Sequence, residues 1–345
     1  MDNIGPVWLL ALDFGGTKHT AAILPWDPLT QSPTAMLECG WQGYQRVFCP
    51  PDADMQYDLQ TMKAMAHELI GDKSLAAIGV SFGGPVDIST GNVLLSNHVP
   101  GWENFPLEAF LRSEFGVPAR IDNDANVAAL GEYHFGAGQG LNGLFYITVS
   151  TGVGGGWILN GKPWRGAQNM AGEIGHMVVD PEGPQCLCGK RGCVERLASG
   201  PYMAADACEL LLRELQQAKG HANSLLSGDR GGTLLALAGG DPQTLTGAHL
   251  SQAASMGDAL AWEILERSAW ALGVSIGNTA NLINPQRFIL GGGVTKSGER
   301  FWQTIQRTAR QTALPQIQVE IVPAILGDDA PLWGAVALAQ DCLAE

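Results

Sequence analysis

Two stretches of the chain share one design. LLALDFGGTKHTAAIL, Leu9 to Leu24, runs apolar segment, glycine turn, apolar segment, and LFYITVSTGVGGGWIL, Leu144 to Leu159, repeats it some 135 residues later. In each, apolar β-formers flank a turn of Gly with Thr or Ser, which reads as a β-hairpin. A hairpin repeated at that distance marks a duplicated unit. It restricts the chain to folds built from two like halves, with both hairpin tips facing one cleft.

The rest of the chain agrees with an α/β reading. SLAAIGVSFGGPVD is a buried strand entering a Gly-Pro loop, and PARIDNDANVAALGEYHFGAG is a short strand entering a helix with DND at the junction. Trp262, Leu265, Ala269, Leu272 and Ile276 fall at helical spacing, which predicts a long helix over Met256–Ile283. NPQRFILGGGV is again strand then glycine turn, and APLWGAVALAQDCLAE reads as a final helix. Gly220 to Gly247 shows no periodicity and reads as a loop or insertion. Strands alternating with helices predict α/β lobes, and 345 residues exceed one compact core, so two lobes are expected.

A formal charge of −14 argues against a nucleic-acid surface. It also means that a phosphate site must be built locally, from backbone N–H groups, a lysine or a cation. MDNIGPVWLLALDFGG has no basic leader region, and no run approaches the ~18 apolar residues a bilayer span needs. The expectation is a soluble, cytoplasmic protein with no membrane partner.

Gly138, Gly140 and Gly143 form a G-x-G-x-x-G, but it follows a helix and leads into a strand. That is the reverse of the dinucleotide-binding context, so it is rejected. No P-loop signature is present. DFGGTK, Asp13 to Lys18, is more informative than an ordinary Asp-Gly-Thr turn. Its glycines admit a close anion, Thr17 and Lys18 add a hydroxyl and a charge, and Asp13 suits a hydrated Mg²⁺. With STGVGGG (Ser150 to Gly156) as a second glycine hairpin, the two would clamp a polyphosphate.

Asp122, Asn123 and Asp124 precede a helix, where one of them suffices as the N-cap. The others are then available to a ligand, and an aspartate held ionised at a helix N-terminus suits a general base. His176, Cys186, Cys188 and Cys193 make a Cys₃His set in a run of Pro, Gly, Lys and Arg that is no core strand. Four ligands, rather than three with an open position, indicate a structural zinc.

Together these motifs resemble the ROK family of repressors and sugar kinases, within the actin-like/hexokinase-like ATPase superfamily. The resemblance spans nearly the whole chain, through LALDFGGTK, GPVD, LSNHVPGWENFPL, IDNDANVAALGE, TVSTGVGGGWILNG, AGEIGHMVVDPEGPQCLCGKRGCVE, LINPQRFILGGGV and LGDDAPLWGAVALA. It implies a two-lobed, ribonuclease H-like fold with duplicated βββαβα-type units and an interlobe cleft. The smaller lobe is expected at 1–122 plus about 331–345, and the larger at 123–330 with the zinc site. It also implies an ATP-dependent hexose 6-kinase, glucose being the leading acceptor, acting as a homodimer or homotetramer. Asp124 resembles the general base. Gly84, Asn123, Glu173, His176 and Glu195 resemble the groups that meet the sugar, with His176 also holding zinc beside Cys186, Cys188 and Cys193. Asp13, Gly15, Gly16, Thr17, Lys18, Thr151, Gly152, Gly154 and Gly291 to Gly293 resemble the ATP-binding set, with Mg²⁺ accompanying the nucleotide.

Two rival readings follow from the same motifs. The acceptor is N-acetylmannosamine, mannose, fructose or allose instead of glucose, or the chain is a sugar-responsive repressor. A repressor places a helix-turn-helix module ahead of the first hairpin, which here begins within about ten residues of Met1, and needs a DNA-facing positive surface. Both features disfavour the repressor.

Overall fold

The computed structural model describes residues 6–27, 32–96, 99–217 and 230–344. The first sheet contains β1 (Val7–Phe14), β2 (Lys18–Trp26), β3 (Gly43–Phe48), β4 (Leu75–Phe82) and β7 (Ala119–Asn123). β5 (Val86–Asp87) and β6 (Asn92–Val93) form a separate short pair. The second sheet contains β8 (Gly143–Val149), β9 (Val153–Leu159), β10 (Lys162–Pro163), β11 (Phe288–Gly291) and β12 (Ile321–Pro323). The sheet orders are β3-β2-β1-β4-β7 and β10-β9-β8-β11-β12. The two five-stranded sheets therefore repeat one order, third-second-first-fourth-fifth, as a duplicated unit requires.

The elements follow from their sequences. β1 and β4 are nearly continuous apolar runs, because parallel central strands are covered on both faces, and Leu9 to Leu12 are fully buried. β1 and β2 are antiparallel, pairing Phe14 with His19 across the glycine turn. β4 is parallel to β1 and β7, placing Ser81 beside Asp13 and Phe82 beside Asn123. The carboxyl ends of three parallel strands thus present Asp13, the Gly83–Gly84 loop and the Asn123–Asp124 junction on one edge. Ligands of open α/β sheets bind at such an edge.

Asp124 opens the helix Asp124–Phe135, which is buried on almost every side. That is why its apolar residues show no single stripe. Glycines let its neighbours come close. A Cβ on Gly334, in the helix Ala330–Ala344, would lie 1.7 Å from the Val127 carbonyl, and one on Gly79 in β4 would lie 1.7 Å from the Ala335 carbonyl. Backbone atoms cannot yield as a side-chain tip can. Gly334→Ala is therefore expected at or beyond the upper end of the ~1–3 kcal/mol typical of overpacking. A thermal melt should show a Tm several degrees lower, and an unchanged Tm would contradict the packing.

The predicted long helix starts later than its periodicity indicates. It runs Ala259–Ile283, capped by Asp258, which accepts from the amides of Leu260 at 3.0 Å and Ala261 at 3.2 Å. Gly257, at φ +93°, ends the preceding helix Gly247–Ser255 and turns the chain into the new one. The expected loop over Gly220–Gly247 needs a second correction. Residues 220–229 lie outside the described residues, but Gly232–Leu237 is a helix and Pro242–Thr244 a 3₁₀ turn.

The chain packs as two compact units. Met1–Tyr146, Gly156–Gly172 and Ala324–Glu345 form the first, and Ile147–Gly155 with Glu173–Pro323 the second. The lobe boundary expected at residue 122 is a separate proposal.

Candidate active site

In the first unit, Asp13, next to last in β1, is almost fully buried and accepts from Ser81 Oγ at 2.7 Å. Burial pushes its carboxyl above the ordinary aspartate range, against the pull of Ser81 and of Lys18, His19 and Arg46. A buried carboxylate with one hydroxyl and distant cations for company suits a divalent ion. Beyond it, Gly15 N–H donates to the Lys18 carbonyl at 3.2 Å. A Cβ on Gly15 would lie 2.7 Å from that oxygen, so the turn excludes side chains there. Gly16 and Thr17 are exposed at its tip, and Lys18 Nζ lies 3.5 Å from Asp328.

The DND junction divides its labour. Asn123 is the N-cap, its side chain accepting from Ala125 N–H at 3.0 Å while Nδ2 donates to the Gly84 carbonyl at 3.1 Å. Asp124, half-buried in the first helical turn, also accepts from Ala125 N–H, at 2.8 Å. Asp122 is not available to a ligand as the sequence reading allowed. It is buried and holds Arg165, with Oδ2 accepting from Nε at 2.8 Å and from Nη2 at 2.6 Å. Gly84 packs tightly too, since a Cβ there would meet the Leu95 carbonyl at 2.6 Å.

His19, Cys49 and Asp58 also bring possible metal-ligand atoms within 4.8 Å of one another beneath the first turn. Both Asp58 oxygens are already engaged, by His19 Nε2 at 2.7 Å and by Trp102 Nε1 at 3.0 Å. Burial and the Asp58 charge push the Cys49 thiol up to about 11. A tautomer donating through Nε2 leaves Nδ1 a bare lone pair, and Nδ1 is the atom without a partner. The group is thus a hydrogen-bonded core.

In the second unit the other glycine turn joins β8 to β9, with Ser150 N–H donating to the Gly152 carbonyl at 2.9 Å. Thr151 is exposed at its tip, and Gly152 and Gly154 are half-buried. Glu195 meets this turn directly: its Oε2 accepts from Val153 N–H at 3.0 Å. A Cβ on Gly152 would lie 2.8 Å from the same oxygen. Gly291 ends β11, and Gly292, at φ +91°, lies where a Cβ would be 2.3 Å from the Val149 carbonyl. Gly293 has open space above it.

His176, Cys186, Cys188 and Cys193 place one ligand atom each within 4.8 Å of one another. The loop is shaped to do so. Cys186 N–H donates to the Lys190 carbonyl at 2.8 Å, Gly189 turns at φ +87°, and Gly192 at φ +63° packs where a Cβ would be 1.5 Å from the Asp180 carbonyl. Cys188 and Cys193 sulfurs lie 3.5 Å apart, and His176 Nδ1 is buried with no hydrogen-bond partner. Three thiols and an orphaned imidazole nitrogen fit a tetrahedral zinc. Tyr202 accepts from Leu187 N–H at 3.1 Å and so fastens the loop's tip.

Glu173 precedes the short 3₁₀ turn Ile174–His176, and His176 is its last residue. The Glu173 residue is exposed overall, but its carboxyl is partly walled off from water. That desolvation raises its pKa from 4.5, His176 opposing and Glu195 adding to the shift. The next residue after Glu195, Arg196, forms a bidentate pair with Asp206 at 2.7 and 3.0 Å, and Arg267 reaches the same carboxylate. Sequence reasoning missed this anchor, the Asp122–Arg165 pair and the Glu195–Val153 link. None has a motif; the one available signal was an arginine at 165 in an otherwise base-poor stretch.

A family model described as the ROK family matches residues 9–342. The glucokinase of Halalkalibacterium halodurans is 37% identical over 262 residues, covering 74% of this chain and 74% of that protein. A xylose repressor of Bacillus spizizenii is 30% identical over 262 residues, covering 75% of this chain and 60% of the repressor. A ROK family glucokinase from Streptomyces griseus, solved in complex with glucose and AMPPNP, has a TM-score of 0.78 and 31% identity, covering 97% of this chain and 99% of that one.

Proposed function

The chain belongs to the ROK family and is an ATP-dependent sugar kinase with the actin-like fold, and we propose that it phosphorylates glucose at the 6-hydroxyl with Asp124 as general base. The observation that carries this is the junction of β7 with its helix. It holds Asp124 in the first turn beside the capping Asn123, at the edge where β1 delivers Asp13.

In this reading Asp124 takes the proton from O6 as that oxygen attacks the γ-phosphorus of ATP. The phosphoanhydride bond breaks, and ADP leaves with its electron pair. Asn123, with one Nδ2 proton left after Gly84, meets a sugar hydroxyl, and Gly84 lines the same pocket. Glu173, His176 and Glu195 orient the remaining hydroxyls, since carboxylates and an imidazole are apt partners for a polyol. Gly15 to Lys18 and Thr151 to Gly154 cradle the phosphates, and Gly291 to Gly293 lie along adenosine. Asp13 would hold Mg²⁺, which neutralises the charge that builds on the phosphates. His176, Cys186, Cys188 and Cys193 would hold a structural Zn²⁺. The reading extends to a homodimer or homotetramer in the cytoplasm whose product enters glycolysis.

The deciding experiment is ATP turnover in a coupled ADP assay against a panel of hexoses and hexosamines, with zinc measured on the same sample. Glucose should have the highest kcat/KM. A preference for N-acetylmannosamine, mannose, fructose or allose would replace the acceptor but keep the chemistry. Sequence-specific DNA binding without turnover would favour the repressor reading, which the similarity to a xylose repressor keeps in view.

The raised pKa of Glu173 sets a pH dependence. Ionised, it accepts from sugar hydroxyls through two oxygens; protonated, it loses part of that capacity. As pH falls through the raised value, hexose KM should climb, with its midpoint above the ordinary 4.5. Glu173→Gln should raise KM and flatten this limb. An acid limb that persists in Glu173→Gln assigns it to another group.

A further inference from the structure

We propose that Arg165 is a positioning residue for phosphoryl transfer, acting through Asp122 on the Asn123–Asp124 junction. The proposal rests on the reading of Asp124 as the base. Asp122 is 2% exposed, and both of its oxygens are filled. Oδ2 takes two N–H groups from Arg165, at 2.8 and 2.6 Å. Oδ1 takes the Asn123 backbone N–H at 2.7 Å and Asn126 Nδ2 at 3.2 Å. The carboxylate thus pins the residue before Asp124 and a residue two positions after it, bracketing the base from within the protein.

Arg165 does a second job from the same position. Its carbonyl accepts from Ala171 N–H at 2.9 Å and its Nη1 donates to the Pro163 carbonyl at 3.3 Å. Those bonds close the loop 165–171, two positions before Glu173. One residue therefore fixes both the junction that carries the base and the segment that leads to a proposed sugar carboxylate. Its planar fork gives two N–H groups to one oxygen while a third holds Pro163, which a lysine ammonium cannot reproduce in the same plane.

Without Arg165, Oδ2 of a buried carboxylate loses both donors. The carboxylate then rotates or draws in water, and Asn123 and Asn126 move with it. Transfer between oxygens is sensitive to small misplacement. Of the proposed sugar groups only Asn123 lies in this network, since Glu173, His176 and Glu195 lie outside it and the Ala171 bond to the backbone carbonyl of residue 165 survives the substitution. The cost should fall on kcat.

The test measures kcat and KM for glucose and ATP in Arg165→Gln, Arg165→Lys and Asp122→Asn, well below each Tm, with rates normalised to the fraction that binds glucose. Arg165→Gln should lower kcat about 10–100-fold and leave both KM values within about threefold, with Arg165→Lys in between. Asp122→Asn should show the same split, and the double variant should be no worse than the poorer single one, since the two act as a unit. A normalised kcat within twofold of wild type in Arg165→Gln overturns the proposal, as does a loss confined to KM or additive losses in the double variant. An active Asp124→Asn would instead defeat the underlying reading. A dead Asp124→Asn beside a normal Arg165→Gln defeats this inference alone.

Discussion

Replacing Asp124 with asparagine will lower kcat about 10²–10⁴-fold, the contribution of a general base, and leave glucose affinity within a few-fold of wild type. The two carboxylates at this junction differ in environment. Asp122 is buried and saturated by four donors, whereas Asp124 is half-buried in the first turn of its helix. An amide at 124 still accepts from Ala125 N–H and keeps the helix start intact, but it cannot take the O6 proton. Binding should survive because the proposed sugar contacts are shared with Asn123, Glu173, His176 and Glu195. Glucose binding by calorimetry beside the coupled assay separates the two effects. Turnover near the wild-type rate refutes the base assignment, and lost binding with an unchanged kcat makes Asp124 a binding group. Asp122→Asn supplies the internal comparison: its effect should come through geometry and be smaller.

Much of this was legible in the sequence where the signal was local. The two glycine hairpins, the strand-to-helix step at Asn123–Asp124 and the Cys₃His set lie in short windows with their own turn chemistry, and the structure builds each of them. What escaped is held by contacts between distant positions. Asp122 and Arg165 are 43 residues apart, and Glu195 and Val153 are 42 apart. No period or motif couples such pairs. Helical periodicity carried the long helix back to Met256, because an apolar pattern does not register that Gly257 turns at φ +93° and Asp258 caps. The close approach of Gly334 to Val127 was equally hidden, since a helix buried all round has no stripe to read.

The second large effect concerns the proposed zinc. Cys188→Ser or chelation should remove the metal and lower Tm by about 10 °C or more. Glucose KM should rise about 10-fold or more, with a smaller change in kcat at saturating sugar. Structural zinc contributes on the order of 10 kcal/mol to small domains, and even outer contacts of metal ligands are worth about 10–100-fold. Here short backbone hydrogen bonds and the Leu187–Tyr202 contact shape the loop, but apart from its cysteines it buries no large apolar side chain that would hold it without the metal. Between Val178 and Cys193 it is made of turns, two isolated β-bridges and glycines at positive φ, with no strand or helix of its own. Its ends lead to the groups proposed to meet the sugar, His176 before it and Glu195 two residues after Cys193. His176 belongs to both sets, and its buried Nδ1 finds no protein partner. Loosening the loop frees that imidazole and the start of the helix Val194–Ala198, and with it Glu195, whose Oε2 holds Val153 N–H in the second glycine turn. The damage should therefore reach sugar affinity first and nucleotide affinity to a lesser degree, because the Arg196–Asp206 pair still anchors the helix. Zinc content, Tm and both KM values on one preparation decide the matter. A zinc-free enzyme with wild-type glucose KM would mean that the loop holds its shape without the metal, and His176 would then owe its place to packing alone.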